Sequence, residues 1–436
     1  MKKKISISTT VTLVLLTMAL TISLTMLLAM RHFNNQLQLV SKRQAMYSHV
    51  NDVDKVVREY YPDLDEALLR EGIAQGYIDG INDPYAAYYP TDDYVTERVR
   101  MAGKAQNVGI VLGERKDTAT GNNQLVITRV YEDSAAYNAG IKEGDVVVSI
   151  NGESAATKKL AEWQELANTA TELTVTVSRG AGESSYPVKA FEYDVRSVQT
   201  LILDNVGYIK ITAFYDNTPE QFKDAVETLL DKKVTGLVFD LRDNAGGSSK
   251  AVQEMLSQIM PLGAYGTMTD TKGKETKLST KVSKTISLST VTLINGNTAG
   301  EAEFFAGALQ EAGLTYVMGQ TSMGKAKYQQ YFVLEQDYSA LKLTVGEYGL
   351  MKGGSWEGKG IVPSTEVVLP PEQADIYQSL PANEDAQVQA AVDKLEETSE
   401  PITPDDPVVP SDPTDTDSTT STDTEATGET TTTTGE

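Results

Sequence analysis

Residues 5 to 30, ISISTTVTLVLLTMALTISLTMLLAM, carry no charge and directly follow three lysines. At about 1.5 Å per residue, a helix of this length exceeds the roughly 30 Å hydrocarbon core of a bilayer. A soluble core rarely covers so long an uncharged helix on every side, so one N-terminal transmembrane helix is expected. Only a weak small-x-small sequence follows it, which favours a retained signal-anchor over a cleaved leader. The lysine cluster puts the N-terminus on the cytoplasmic side and the chain after residue 35 outside, a single-pass topology.

The remaining chain divides by pattern. Residues 36–100 contain apolar positions at helical spacing, as in ALLREGIAQGYIDGI (67 to 81), and read as a small helical region. Residues 101–190 switch to short alternating strands such as QLVITRV and DVVVSI between glycine turns, a β-rich module. Residues 191–372 alternate strand and helix: VGYIKI, TPEQFKDAVETLL, GLVFDL, SSKAVQEMLSQIM, TVTLING, AEFFAGALQEA. Such alternation predicts βαβ units with right-handed crossovers. The helix at 218 is expected to start with Thr218 as N-cap, Pro219 at the first helical position and Gln221 closing a capping box. Residues 373–436 are rich in Pro, Thr, Ser and acid and read as a disordered tail.

Composition removes several chemistries. The chain has no cysteine, which excludes disulfides, thiol nucleophiles and zinc-thiolate sites. Its two histidines, His32 and His49, both lie near the N-terminus and leave no Ser-His-Asp triad. The net charge is -23, about half of it from the twelve acidic residues that follow Lys394. An acidic surface argues against nucleic-acid binding. No spacing matches a metal site, a phosphate loop or a dinucleotide fingerprint, so neither metal nor cofactor is expected.

The stretch SAAYNAGIKEGDVVVSINGES (134 to 154) resembles the second half of a PDZ domain, and NVGIVL (107 to 112) stands where such domains place the loop that binds a peptide carboxylate. Backbone N–H groups at Val108, Gly109 and Ile110 can form a nest for that anion while the next strand pairs with an extended peptide. The partner this implies is an unstructured polypeptide C-terminus.

Anchor, helical region, PDZ-like module and α/β core, in this order, resemble the carboxyl-terminal processing, or tail-specific, serine proteases of bacterial membranes. The motifs are LRDNAGG (241 to 247), GQTSMGKAKYQ (319 to 329) and GEYGLMKGGSWEGKGIVPSTEV (346 to 367). The resemblance implies a ClpP/crotonase-like βαβ core with the PDZ domain inserted, and leaves room for a homodimer. It also implies a Ser-Lys endopeptidase site: Lys325 as base, Gln329 holding it, Gly246 and Gly247 supplying oxyanion N–H groups. Glu311 is expected to order nearby backbone. As bland alternatives, Lys325 and Gln329 could be solvated loop and strand polars, and the glycines a tight turn.

The family's serine precedes its lysine by twenty-five residues in a Ser/Thr-Ala-Ser-x-Ser/Ala-Glu pattern. Here that stretch is Thr298-Ala299-Gly300-Glu301-Ala302-Glu303, and the nucleophile position is Gly300. Three explanations stand open: a pseudoprotease that binds without turnover; an active endopeptidase using Thr298, Ser248 or a lysine-activated water; or a changed form of a serine enzyme. Serine restored at 300 is expected to create or greatly raise peptidase activity.

Overall fold

The computed structural model describes residues 7–117, 121–180, 182–280, 286–374 and 376–397. The chain forms two compact units, divided after Gly80.

In the first unit, α1 (Ile7–Tyr60) is a single helix of 54 residues and α2 (Glu66–Asp79) follows a short turn. The apolar side chains of α1, among them Leu13, Leu16, Leu20 and Leu27, are exposed, and the helix is long and apolar enough to cross a membrane. Asp65 caps α2 by accepting from Ala67 N and Leu68 N.

The second unit begins with β1 (Ala87–Tyr89), α3 (Thr91–Met101) and β2 (Lys104–Asn107). The PDZ-like module then runs through β3 (Ile110–Lys116), β4 (Asn123–Val130), α4 (Ala135–Ala139), β5 (Val146–Ile150), β6 (Glu153–Ser154), α5 (Leu160–Thr169), β7 (Glu172–Arg179) and β8 (Gly182–Lys189). Its sheet has the order β3-β4-β5-β7-β8, with β6 on β5. Trp163 of α5, Ile127 of β4 and Val175 of β7 are fully buried in its core. The alternation along β7 drives this: Leu173, Val175 and Val177 face inward while Glu172 and Thr174 face water. β9 (Phe191–Asp194) returns to pair with β2.

The α/β core contains β10 (Val198–Leu203), β11 (Val206–Ile211), α6 (Thr218–Asp231), β12 (Gly236–Asp240), α7 (Ser249–Ile259), β13 (Gly263–Asp270), β14 (Glu275–Thr280), β15 (Ser289–Ile294), α8 (Glu301–Glu311), β16 (Tyr316–Gly319), β17 (Lys327–Val333), β18 (Ala340–Gly349) and β19 (Thr365–Glu366). The central sheet has the order β10-β11-β12-β15-β16-β19 and is parallel from β11 onward. Strands covered on both faces read as continuous apolar runs, as β12 does in GLVFD. One face of the sheet packs on α6, α7 and α8 through Phe222, Phe239, Phe304 and Phe305. The second sheet, β1-β18-β13-β14 with β17 on β18, holds the start of the closing motif (346 to 349) in β18, while Thr365 and Glu366 near its end form β19 of the central sheet.

Two expectations are corrected. The tail expected from 373 is folded up to Glu397: α9 (Pro371–Ala374) is followed by α10 (Ala386–Glu397), which covers the other face of the central sheet with Val388, Ala391, Val392 and Leu395. Its apolar stripe at helical spacing was hidden by the acid and proline around it. Arg242, buried, pairs with Asp240 at 2.7 Å and Asp385 at 2.9 Å and ties this segment down. Residues 398–436 lie outside the described residues.

The capping box at α6 does not form. Thr218 is already helical and its hydroxyl accepts from Tyr215 N at 2.8 Å, while Gln221 Oε1 accepts from Ser197 N and Val198 N. An amide that can serve two N–H groups of the incoming strand gains more there than at one N-cap N–H.

Candidate functional site

Three loops meet at the start of α8. The turn from β15 closes through Thr298, whose hydroxyl accepts from Asn295 N at 3.0 Å and donates to Leu241 O at 2.9 Å. Ala299 N then bonds Asn244 O in the glycine loop, and Met323 N bonds Thr298 O from the lysine loop. These bonds fix the position of Gly300.

Gly300 has φ 61° and ψ -121°, a conformation glycine adopts freely and other residues rarely do. A β-carbon there would meet Ala245 O at 3.7 Å, Gly246 Cα at 3.9 Å and Lys325 Cδ at 4.0 Å, all ordinary contacts. The seat has room for a side chain that points toward Lys325, and the chain supplies none.

Lys325 is partly buried, with its ammonium 4.7 Å from the centre of the Tyr85 ring. Desolvation pulls its pKa below the usual lysine value, while the Glu301 and Glu303 charges pull the other way. Its loop is held by Glu303, a buried carboxylate that accepts from Gly300 N at 3.0 Å, Gly324 N at 2.7 Å, Lys325 N at 2.8 Å and the Ser322 hydroxyl. Four donors offset the cost of burying the charge. The Gln329 amide donates to Lys327 O at 3.2 Å and Thr344 Oγ1 at 3.3 Å instead of holding the Lys325 ammonium by a hydrogen bond. Glu311 accepts from Lys352 N and Gly353 N, ordering that backbone.

The glycine loop is equally constrained. A β-carbon on Gly247 would lie 2.2 Å from Phe214 O, so no other residue fits. Gly246 N donates to Asn244 Oδ1 at 2.9 Å. Gly247 N donates to Glu301 Oε2 at 2.9 Å, and the same carboxylate accepts from the Ser249 hydroxyl at 3.2 Å and the Tyr348 hydroxyl at 3.1 Å. The Glu301 side chain therefore sits on an N–H expected to face a substrate oxyanion. Ser248 caps α7, accepting from Ala251 N and donating to Asp216 Oδ1 at 2.9 Å.

Residues 205–367 match the family model described as peptidase family S41, and residues 126–179 match the PDZ domain model. The α/β core thus matches peptidase family S41. Among curated relatives, the carboxy-terminal processing proteases CtpA and CtpB of Bacillus subtilis (strain 168) are 27% and 28% identical, over 73% and 72% of this chain and 68% and 66% of theirs. The alignment thus spans about two thirds of each relative. A crystal structure of a protein assigned as an S41 protease from Bacteroides fragilis NCTC 9343 superposes with TM-score 0.57 and 15% identity, covering 79% of this chain and 97% of that one. That likeness concerns the fold.

Within this S41 core, Lys325, Gly300, Gly246 and Gly247 come together, and Gln329 lies on the neighbouring strand. In the PDZ domain, Val108, Gly109 and Ile110 adjoin at the head of β3 and are buried. Gly109 N is bonded to Asn107 Oδ1 at 2.8 Å, and Ala136 N and Tyr131 N hold the Val108 and Gly109 carbonyls. Sequence reasoning missed the two acids in the first turn of α8. Glu303, at the third helical position, carried a legible signal as a helix-capping acid; Glu301, at the variable position of the motif, carried none.

Proposed function

We propose that this chain is a membrane-anchored, extracytoplasmic S41 protein of the carboxyl-terminal processing type that captures polypeptide C-termini through its PDZ domain and does not turn them over. One observation carries the reading: the seat 4.0 Å from Lys325 Cδ is Gly300, which has no atom to attack a carbonyl. The hydroxyls that could substitute are committed elsewhere, Thr298 to Leu241 O and Ser248 to Asp216. The Glu301 carboxylate, resting on Gly247 N, also supports it, because an anion there takes a donor that a tetrahedral intermediate needs. Lys325, Gly246 and Gly247 are assigned as the remnant of the Ser-Lys machinery, and Val108, Gly109 and Ile110 as the carboxylate loop. Gln329 is assigned to supporting β17 beside the site. The exposed apolar face of α1 and the three lysines before it support anchoring with the folded part outside the cytoplasm.

The lowered pKa of Lys325 favours a second reading, peptidase action through a lysine-activated water. Incubating the full-length chain with an unfolded polypeptide separates the two. No cleavage beyond background is expected; cleavage that Lys325→Ala abolishes would establish the second reading.

A further inference from the structure

In the PDZ domain β3 lies at the sheet edge, with β4 on one side and α5 on the other. An edge strand offers alternate N–H and C=O groups to an incoming strand, which is how an extended peptide would add to it. At the N-terminal end of this edge two of those groups are already engaged. Gln164 of α5 accepts from Leu112 N at 2.7 Å through Oε1, and donates from Nε2 to Ile110 O at 3.3 Å. Asn168, one turn further along α5, accepts from the same Nε2 at 2.9 Å and holds the amide in this orientation.

A side-chain carboxamide carries the same acceptor and donor as a peptide group. We infer that Gln164 is a latch that occupies the strand-addition edge of the PDZ groove, so that a polypeptide C-terminus binds only by displacing it. This rests on the C-terminus-capture reading above. The consequence is one of specificity. A ligand strand gains bonds to Ile110 O and Leu112 N while Gln164 gives up its own, so main-chain pairing at this step contributes little net affinity. Selection then falls on the ligand's carboxylate and terminal side chain. Extended segments that offer only main-chain groups are rejected, which blunts an edge that would otherwise pair with any strand.

The test uses the full-length chain in nanodiscs and a fluorescein-labelled Gly/Ser decapeptide ending in three valines with a free carboxylate. Wild type is compared with Gln164→Ala and with Gln164→Met, which keeps the length and removes both polar atoms. Both variants are expected to bind about tenfold more tightly, about 1.4 kcal/mol. The Leu112 amide, protected by Gln164 in the wild type, is expected to exchange faster in the free variants and to slow again when peptide is added. Unchanged or weaker binding in both variants overturns the latch and leaves C-terminus capture standing, whatever the Leu112 exchange. Binding by none of the three chains overturns capture itself, and the latch with it.

Discussion

Restoring the missing hydroxyl is the sharpest perturbation of this site, and the structure gives it a second requirement. In Gly300→Ser the new β-carbon meets nothing closer than 3.7 Å, so the cost is mainly that of a non-glycine residue at φ 61°, about 1–3 kcal/mol of stability. The variant is expected to fold. Its serine would face Lys325, but Gly247 N would still be bonded to Glu301 at 2.9 Å. Loss of one oxyanion donor costs about 10² to 10³ in kcat, or about 2.7–4 kcal/mol. Glu301 also works on the base: its charge raises the Lys325 pKa, so removing it increases the neutral lysine that can accept a proton. Both effects have the same sign. Gly300→Ser with Glu301→Ala is therefore expected to cleave an unfolded polypeptide at least about 10²-fold faster than Gly300→Ser alone. Its pH-rate profile should rise with an apparent pKa below the usual lysine value, and Lys325→Ala should abolish the activity. Cleavage rates are followed by quenched fluorescence, with fluorophosphonate labelling of the new serine as a readout of nucleophile activation that needs no peptide turnover. Equal rates for the single and double variants would refute the role given to Glu301. Cleavage by the unmodified chain at the rate of the double variant would refute the lost nucleophile.

Glu303→Ala leaves three backbone N–H groups and the Ser322 hydroxyl without their acceptor, at about 1–3 kcal/mol per buried group, and should release the 322–325 loop; hydrogen exchange at the Gly324 and Lys325 amides measures it. Burial works to raise the Asp240 pKa, but the Arg242 charge and hydrogen bonds prevail and hold it below the ordinary carboxylate value. The stability the Asp240–Arg242 pair gives to the fold is therefore present above about pH 4 and is lost as pH falls through the lower folded value, which chemical denaturation at a series of pH values will follow. Arg242→Met strips the two buried carboxylates of their partner and should destabilise α10 docking by about 3–5 kcal/mol at neutral pH, measured by chemical denaturation. Amidating the valine-ended peptide should weaken its binding, because the loop at Val108, Gly109 and Ile110 then loses its anion; equal affinity for acid and amide would remove carboxylate capture. Protease added to intact cells should shave the folded part from the membrane, and full protection would overturn the topology.

Properties that depend on residue type and spacing were set by the sequence alone. The uncharged run fixed an apolar helix, the alternation of apolar stretches fixed the βαβ core, and twenty-five residues counted back from Lys325 put a glycine where the resemblance implies a nucleophile. None of these needs a partner from elsewhere in the chain. What the loops do with their polar groups was decided only in three dimensions, because each donor has several acceptors within reach and the fold selects among them. Gln221 left the helix cap for the strand at Ser197 and Val198. Glu301 crossed to Gly247, a residue 54 positions away in the chain. Gln164 settled on a strand edge 52 residues behind it. The arrangement at Gly300, in which a side chain is missing and an anion rests on the neighbouring donor, arises because folding brings the glycine loop and the start of α8 within hydrogen-bond distance.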